Sequence, residues 1–217
     1  MTRGFKITGW IAMTTVATFI GLLSLRYFVI SPEIASGPPL GKRFAEYIVP
    51  LLFHAGGGVV ALLLGPWGFW GALRRNKYLQ IHRWMGRVYL AAVLVGGVAG
   101  LYMALTAFGG LPTRIGFSML ALLWLSTGGM AYGLIRRREV ARHREWMIRN
   151  YALTFSAVTL RLWLPVFLSL GYTFPEAYTT VAWLCWFPNL LIAEMIIGYG
   201  KTRPERQKLS PLEPYKA

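Results

Sequence analysis

Aspartate is missing from this sequence, and charged residues of any kind are few. All eight acidic residues are Glu, and charged residues make up 14% of the 217 residues. Sites that bind Mg²⁺ or transfer phosphoryl groups depend on carboxylates gathered around the ion. The sequence therefore argues against phosphoryl transfer and against dense carboxylate chemistry.

Cysteine and the common catalytic motifs are nearly as scarce. Cys185 is the only cysteine, so no intrachain disulfide can form. The sequence has no glycine-rich phosphate loop followed by Lys and no His-Glu-x-x-His motif. It also has no Ser or Cys nucleophile with a His and a carboxylate at a matching depth. These absences disfavour the chemistry of soluble enzymes.

Long hydrophobic runs dominate what is present. Hydrophobic residues make up 55% of the chain. Six runs are long enough to cross about 30 Å of hydrocarbon at about 1.5 Å per residue. We predict an all-α integral membrane protein with six transmembrane helices, near residues 7–30, 46–70, 84–108, 113–135, 146–171 and 177–200. The lipid bilayer is then the main partner of the chain.

Basic residues lie between these runs and predict their orientation. The net charge is +15, and 18 of the 23 Lys and Arg residues fall in the N-terminus, near residues 74–87 and 136–149, and in the tail from Lys201. Only Lys42, Arg43 and Arg114 fall in the loops of the other side. By the positive-inside rule, both termini are cytoplasmic. Because these cations do not form one patch on a folded surface, we expect no nucleic-acid partner.

Two stretches of the sequence resemble each other. RRNKYLQIHRWMGRVYL from Arg74 and RRREVARHREWMIRNYAL from Arg136 share a basic run followed by His, Arg, Trp-Met, Arg and Tyr. This similarity predicts that the hairpin of helices 2 and 3 is duplicated as the hairpin of helices 4 and 5. One membrane domain (1–217) then contains an N-terminal helix and outer loop (1–45), a four-helix core (46–171), and a sixth helix with a basic cytoplasmic tail (172–217).

Glycines are spaced for close contact between the core helices. Gly96 with Gly100, and Gly129 with Gly133, have small-xxx-small spacing, and residues 56–58 are all glycine. Tight packing of the helices is one interpretation. A groove for a flat ligand, such as a porphyrin or a quinone, is the other.

The two repeat-related histidines are candidates for a cofactor site. His82 and His143 each lie near the cytoplasmic start of a helix, and the two helices run parallel. They are therefore expected to face each other at the same depth. Two opposed imidazoles are the ligand pair of a six-coordinate b-type haem, with one nitrogen on each face of the iron.

Neighbouring residues would complete such a haem site. Tyr89 lies on the same face of helix 3 as His82. Four arginines are placed to pair with the haem propionates, namely Arg83, Arg87, Arg144 and Arg149. The alternative is that both histidines are interfacial residues that bond loop carbonyls or lipid phosphates.

His54 lies in a different part of the predicted bundle. It is about 12 Å from the outer end of helix 2, too far from His82 and His143 for a three-His zinc site. A second haem would need an axial partner on helix 4, where Met119 is the candidate. Otherwise His54 hydrogen-bonds a quinone carbonyl or is a satisfied core histidine.

Arg161 is a cation at membrane depth. It follows His143 by 18 positions, or five turns at about 3.6 residues per turn, so both side chains are expected to point the same way. An anionic partner is then expected from Glu46, a haem propionate or a lipid headgroup. The alternative is an Arg that snorkels to the outer interface, as we expect of Arg26.

The stretches FHAGGGVVALLLGP, HRWMGRVYL and HREWMIRNYALTFSAVTLRLWLP resemble a family of bacterial polytopic membrane proteins with a domain of unknown function. The resemblance covers about residues 46–170, implies a bacterial inner membrane, and supplies no activity. The topology is also similar to six-helix, di-haem, ascorbate-reducible b-type cytochromes, whose central helices supply pairs of histidines. In that comparison His82 and His143 correspond to one pair, whereas His54 lacks a histidine partner.

Two functional hypotheses follow from these features. The first is a membrane electron-transfer protein with haem b between His82 and His143, exchanging electrons with a quinone near His54 and Arg161. As an enzyme, it would be a haem-dependent membrane oxidoreductase. The second is a non-redox protein, either an accessory or assembly subunit of a larger membrane complex or a small-molecule carrier, in which the same residues serve packing and interfaces.

Overall fold

The computed structural model describes residues 3–208, and helices form all of the regular secondary structure in that range. The α-helices, in chain order, are α1 (Arg3–Ser24), α2 (Pro32–Ser36), α3 (Leu40–Glu46), α4 (Ile48–Gly68), α5 (Leu79–Leu105), α6 (Gly110–Arg136), α7 (Val140–Thr154), α8 (Ser156–Ser169), α9 (Phe174–Leu184) and α10 (Phe187–Lys208). Short 3₁₀ helices occupy Leu25–Phe28, Gly71–Arg74 and Asn76–Tyr78.

Six stretches are long and apolar enough to cross a membrane, which confirms the predicted fold class and number of spans. They are Ile7–Phe28, Ile48–Gly68, Leu79–Leu105, Leu111–Arg136, Val140–Ser169 and Phe174–Lys201. The fifth span consists of α7 followed by α8, and the sixth span consists of α9 followed by most of α10.

Spans that follow each other in the chain pack against each other. α4 packs on α5, α5 on α6 and α6 on α7, while α1 lies against α4 and α10 against α7. The connections of residues 29–47, 106–109 and 170–173 lie at one end of the bundle, which we call the Arg161 end. Residues 69–78 and 137–139 connect the spans at the opposite end, the His143 end.

The buried core draws on all six spans. Its larger cluster includes Tyr89, Trp124 and Tyr151 from the central spans, together with Val181 and Trp186 from the sixth. A smaller cluster joins the first span to α4 and α8 and consists of Ala17, Ile20, Leu62 and Val158. The first and sixth spans thus supply buried residues to the same bundle.

The helices α4 and α5 cross in close contact. A methyl group on Gly57 would lie 2.6 Å from the Ala92 carbonyl oxygen and 2.7 Å from the Gly96 Cα, so only glycine fits at this crossing. The tight-packing interpretation is confirmed here. It is wrong for Gly129 and Gly133, where an added methyl group would meet no described atom within 4 Å.

The fifth and sixth spans are each interrupted near the same level. Phe155 separates α7 from α8, next to Thr154 and Ser156, whose hydroxyls bond carbonyls of the preceding turn. Such back-bonding bends helices. In the sixth span, Pro188 follows the break at residues 185–186 and has no N–H with which to continue the helix.

The two interruptions are bonded to each other. The Asn189 side chain donates to the carbonyls of Cys185 and Ala152, at 2.9 and 3.2 Å. The Thr159 hydroxyl also donates to the Cys185 carbonyl. The break in the sixth span leaves the Cys185 carbonyl without its usual helical hydrogen bond. Thr159 of the fifth span supplies a hydrogen bond to this carbonyl instead.

The repeated sequence motif forms the same local arrangement twice. The Arg87 guanidinium lies 4.9 Å from the centre of the Trp84 ring, and the Arg149 guanidinium lies 4.8 Å from that of Trp146. The tyrosine two residues further on is buried in both copies, being 2% exposed at Tyr89 and 4% at Tyr151.

Candidate functional site

A cavity of about 640 Å³ lies among α1, α4, α5, α6 and α8 at the Arg161 end. Its walls are largely aliphatic and aromatic, with Leu62, Leu120 and Leu160 among them. Charged or aromatic polar side chains also line it, namely Arg26, Tyr27, Arg43, Tyr47, His54, Arg161 and Tyr178. The structure thus brings His54 and Arg161, both selected from the sequence, to one cavity.

Two glycines hold His54 in place. Its Nδ1 lies 2.9 Å from the Gly96 carbonyl oxygen, and because a carbonyl only accepts, Nδ1 carries the proton and donates it. The ring crosses the backbone at Gly100, where a methyl group would lie 2.6 Å from Nδ1. In neutral His54, the Nε2 lone pair is therefore left as an acceptor.

Arg161 reaches the cavity without an acidic partner. Its Nη1 donates to the Ala157 carbonyl one turn earlier, at 2.8 Å. None of the ion pairs within residues 3–208 includes Arg161, and the predicted partner Glu46 is exposed. Arg161 lines the cavity and His143 does not, and the break at Phe155 separates the helices that carry them. That the two side chains point the same way stays a prediction.

Arg26 and Tyr27 join Arg161 in a group that the sequence did not predict. Arg161 interacts electrostatically with both of them, and the Arg26 guanidinium lies 5.4 Å from the centre of the Tyr27 ring. The Arg26 Nε is buried and has no hydrogen-bond partner in the described structure. Arg26 is thus a cavity residue rather than one that snorkels away from the protein.

A network of buried polar side chains lies beside the cavity. The Tyr89 hydroxyl donates to the Asn150 Oδ1 at 2.7 Å and also bonds the Thr154 hydroxyl at 2.8 Å. The Trp124 Nε1 donates to Thr154, and the Asn150 Nδ2 donates to the Trp124 carbonyl and the Thr127 hydroxyl, each at 2.8 Å. Asn150 is 0% exposed. Sequence reasoning missed this network, although Asn150 and Thr154 are one turn apart.

His82 and His143 lie at the other end of the bundle. The His143 Nδ1 lies 2.8 Å from the Ala131 carbonyl oxygen and therefore donates to it. The His82 Nδ1 is buried without a partner among the described residues. The two histidines interact electrostatically with each other, and neither lines the cavity.

Two arginines lie close to these histidines. Burial lowers the pKa of the Arg74 guanidinium, and the nearby Arg144 lowers this pKa further. Arg74 also interacts with His82. Within residues 3–208, no group of three or more His, Cys, Asp or Glu residues is placed to hold a metal ion.

The other residues selected from the sequence lie in separate surroundings. Arg83 is exposed. Arg149 bonds Glu194 with both Nε and Nη2, at 2.6 and 2.9 Å. Met119 is 40% exposed and does not line the cavity beside His54. The structure therefore does not bring Met119 and His54 together.

Comparison with known proteins identifies a family. The model of the family described as "Predicted membrane protein (DUF2306)" matches residues 51–197, about two thirds of the chain. No curated protein and no solved structure matches the chain. The chain therefore belongs to the DUF2306 family, which confirms the resemblance to an uncharacterised membrane family. The similarity to di-haem cytochromes stays a prediction.

Proposed function

We propose that this member of the DUF2306 family binds one lipid-soluble molecule with a polar head group in the cavity at the Arg161 end. The cavity itself is the observation that carries the proposal, because about 640 Å³ of space is lined mainly by apolar side chains. Small-molecule sites typically have volumes of about 300–1,000 Å³ and a few polar groups on an apolar lining. This cavity has both properties.

The polar side chains indicate how a ligand head would be held. The Nε2 of neutral His54 accepts a hydrogen bond from a hydroxyl, since Nδ1 is committed to the Gly96 carbonyl. Arg161 and Arg26 supply donors. A quinol, a sterol-like alcohol and an acidic lipid each have a polar head that can bond some of these groups and an apolar part that fits the walls.

Filling the cavity tests this proposal. A methyl group on Gly58, which lines the cavity, would meet no described atom within 4 Å, so Gly58→Phe is expected to occupy the ligand space without disturbing the backbone. Gly129 also has free space around an added methyl group but does not line the cavity, so Gly129→Phe is the matched control.

The measurement is native mass spectrometry of both variants and the unaltered protein, released from detergent. We expect a bound lipid-soluble molecule on the unaltered protein and on Gly129→Phe, and its loss from Gly58→Phe. Equal occupancy in all three proteins, or no bound molecule in any of them, would contradict the proposal.

Electron transfer is a second candidate function, in which the cavity ligand is a quinone and His82 and His143 hold a b-type haem. The supporting observation is the bond from the His143 Nδ1 to the Ala131 carbonyl, which leaves Nε2 free. Histidines that bind metals are commonly oriented by such a bond. When bound, the haem would supply a one-electron redox couple.

The space beside these histidines limits where a haem would fit. A methyl group on Gly86, one turn after His82, would meet no described atom within 4 Å. Further along the same face, Tyr89 and Val93 are each 2% exposed, and Gly96 touches Gly57. The residues therefore fit a haem only near the level of Gly86, where Arg83 directly follows His82 and Arg87 directly follows Gly86.

Colour distinguishes the two candidate functions. If the protein transfers electrons through a haem, protein purified from haem-replete cells has Soret and α bands. These bands disappear in His82→Ala and His143→Ala and persist in His54→Ala. A colourless, folded preparation would contradict electron transfer through haem. It would leave the ligand-binding protein, as a carrier or as an accessory subunit of a larger complex.

We also propose a location in the bacterial inner membrane with both termini in the cytoplasm. The proposal rests on the Lys and Arg residues, most of which fall at the His143 end or in the tail. On a Cys185→Ala background, Ile34→Cys should react with an impermeant maleimide in intact spheroplasts, and Arg137→Cys only after lysis. The reverse pattern would contradict this orientation.

A further inference from the structure

The cavity at the Arg161 end has a strongly one-sided charge. Among the residues that the structure describes, three arginines line it, namely Arg26, Arg43 and Arg161, and no acidic residue does. The acidic residues of the Arg161 end, Glu33, Glu46 and Glu176, are exposed and are not among the lining residues. The cavity is therefore positively charged and at the same time mostly apolar.

Guanidinium groups stay protonated at any physiological pH, so these charges cannot be removed by losing a proton. A cation placed in the interior of a membrane protein is costly unless a counter-charge or strong acceptors surround it. For Arg161, the Ala157 carbonyl and the Tyr27 hydroxyl supply neutral acceptors, but neither supplies a carboxylate counter-charge. For Arg26, the buried Nε has no acceptor among the described residues.

We propose that the molecule bound in this cavity carries a negatively charged head, a carboxylate or a phosphate, on an apolar tail, and that Arg161 and Arg26 bind the head. This inference rests on the proposed function, since it names the chemical class of the cavity ligand. An anionic oxygen supplies the counter-charge that Arg161 lacks and the acceptor that the Arg26 Nε lacks.

The tail follows from the remaining walls. Leu62, Leu120 and Leu160 line the same cavity and offer only apolar surface. A small anion without a tail would leave this surface in contact with water. A neutral amphiphile, such as a quinone or a fatty alcohol, would cover the walls but leave the guanidinium charges unbalanced.

A set of ligands that share a tail separates these possibilities. The purified full chain in detergent is loaded with a fluorescent polyene fatty acid. The probe is then displaced with oleate, oleyl phosphate, oleyl alcohol, a neutral quinone and inorganic phosphate. We expect both anionic amphiphiles to displace the probe, and the alcohol and the quinone to bind about tenfold or more weakly. Inorganic phosphate alone is expected not to compete.

One variant and its control place the charge recognition at Arg161. Arg161→Gln should weaken oleate binding by about tenfold while leaving oleyl alcohol unchanged, because only the charged head loses a charge-assisted hydrogen bond. Arg114 is exposed, is on the same end of the bundle and does not line the cavity. Arg114→Gln should therefore bind oleate like the unaltered protein.

The possible results differ in what they overturn. If oleyl alcohol or the quinone binds as tightly as oleate, and Gly58→Phe blocks all of them, the charge inference is wrong and the ligand-binding function stands. Competition by inorganic phosphate alone would also overturn the inference, because no tail would then be needed.

If Gly58→Phe changes no binding, the proposed function fails and the inference fails with it. Should Arg161→Gln not fold, the comparison of oleate with oleyl alcohol on the unaltered chain still decides.

Discussion

The cavity and the adjoining Asn150 network differ in how their polar groups are satisfied. Both lie among the central spans, and Thr154 and Trp124 belong to both. In the network, Asn150, Tyr89 and Thr154 bond one another at 2.7–2.8 Å or bond neighbouring backbone. In the cavity, Arg161 and Arg26 lack acidic partners among the described residues. Buried polar groups that satisfy one another support the fold, whereas groups that face open space are available to a ligand.

The largest expected effect on stability comes from breaking the network. Asn150→Ala removes the acceptor of the Tyr89 hydroxyl and the donor to the Trp124 carbonyl and the Thr127 hydroxyl. We expect a loss of about 2–3 kcal/mol in the free energy of unfolding, because buried groups are left unsatisfied. Equilibrium unfolding in mixed micelles measures it.

Ser126→Ala is the control for that variant, since Ser126 is exposed and its hydroxyl donates to the Leu123 carbonyl of its own helix. We expect the Ser126 variant to unfold like the unaltered protein. If the Asn150 variant were as stable as the unaltered protein, the network would contribute little to the stability of the fold.

Replacing a cavity cation should have the opposite effect. Arg161→Met removes a charge that has no acidic partner among the described residues and keeps a flexible apolar side chain. In ligand-free protein, we expect the free energy of unfolding to stay the same or to rise by about 1 kcal/mol, because an uncompensated charge is removed. Thermal unfolding of delipidated protein measures this. If Arg161→Met lowered the free energy of unfolding as much as Asn150→Ala, the cavity arginine would support the fold as the Asn150 network does, and the difference between the two regions would disappear.

The smallest effect is expected at the repeated Trp-Arg pairs of the His143 end. Arg149 stacks on Trp146 and also bonds Glu194, whereas Arg87 has the Trp84 contact and no ion pair among the described residues. Glu194 is half exposed, so the ion pair contributes at most about 1 kcal/mol. We expect Arg149→Gln to lower the free energy of unfolding slightly more than Arg87→Gln. A larger loss from Arg87→Gln would contradict this difference.

The sequence predicts the spans well because hydrophobic length is a local property. Each predicted run overlaps one of the six spans. The interruptions at Phe155 and at residues 185–186 were not predicted, although Pro188 is a local signal for the second. They depend on bonds between the fifth and sixth spans, through Asn189 and Thr159.

The cavity could not be predicted for a related reason. Its existence depends on the rotation and separation of helices, which hydrophobic periodicity constrains only loosely. The glycines show this: Gly57 and Gly96 touch across α4 and α5, whereas Gly129 and Gly133 have the same small-residue signal and face open space. Likewise, the sequence places Arg26 near the end of a span but does not show that it turns towards Arg161.

A density map of the unaltered protein in a lipid nanodisc, obtained by electron microscopy with a fiducial binder, shows directly whether the cavity holds an anionic amphiphile. We predict an elongated density in the cavity, with its compact end in contact with Arg161 and Arg26 and its length along Leu62, Leu120 and Leu160. A cavity closed by its own side chains, or density that avoids both arginines, would contradict the binding of an anionic head by Arg161 and Arg26.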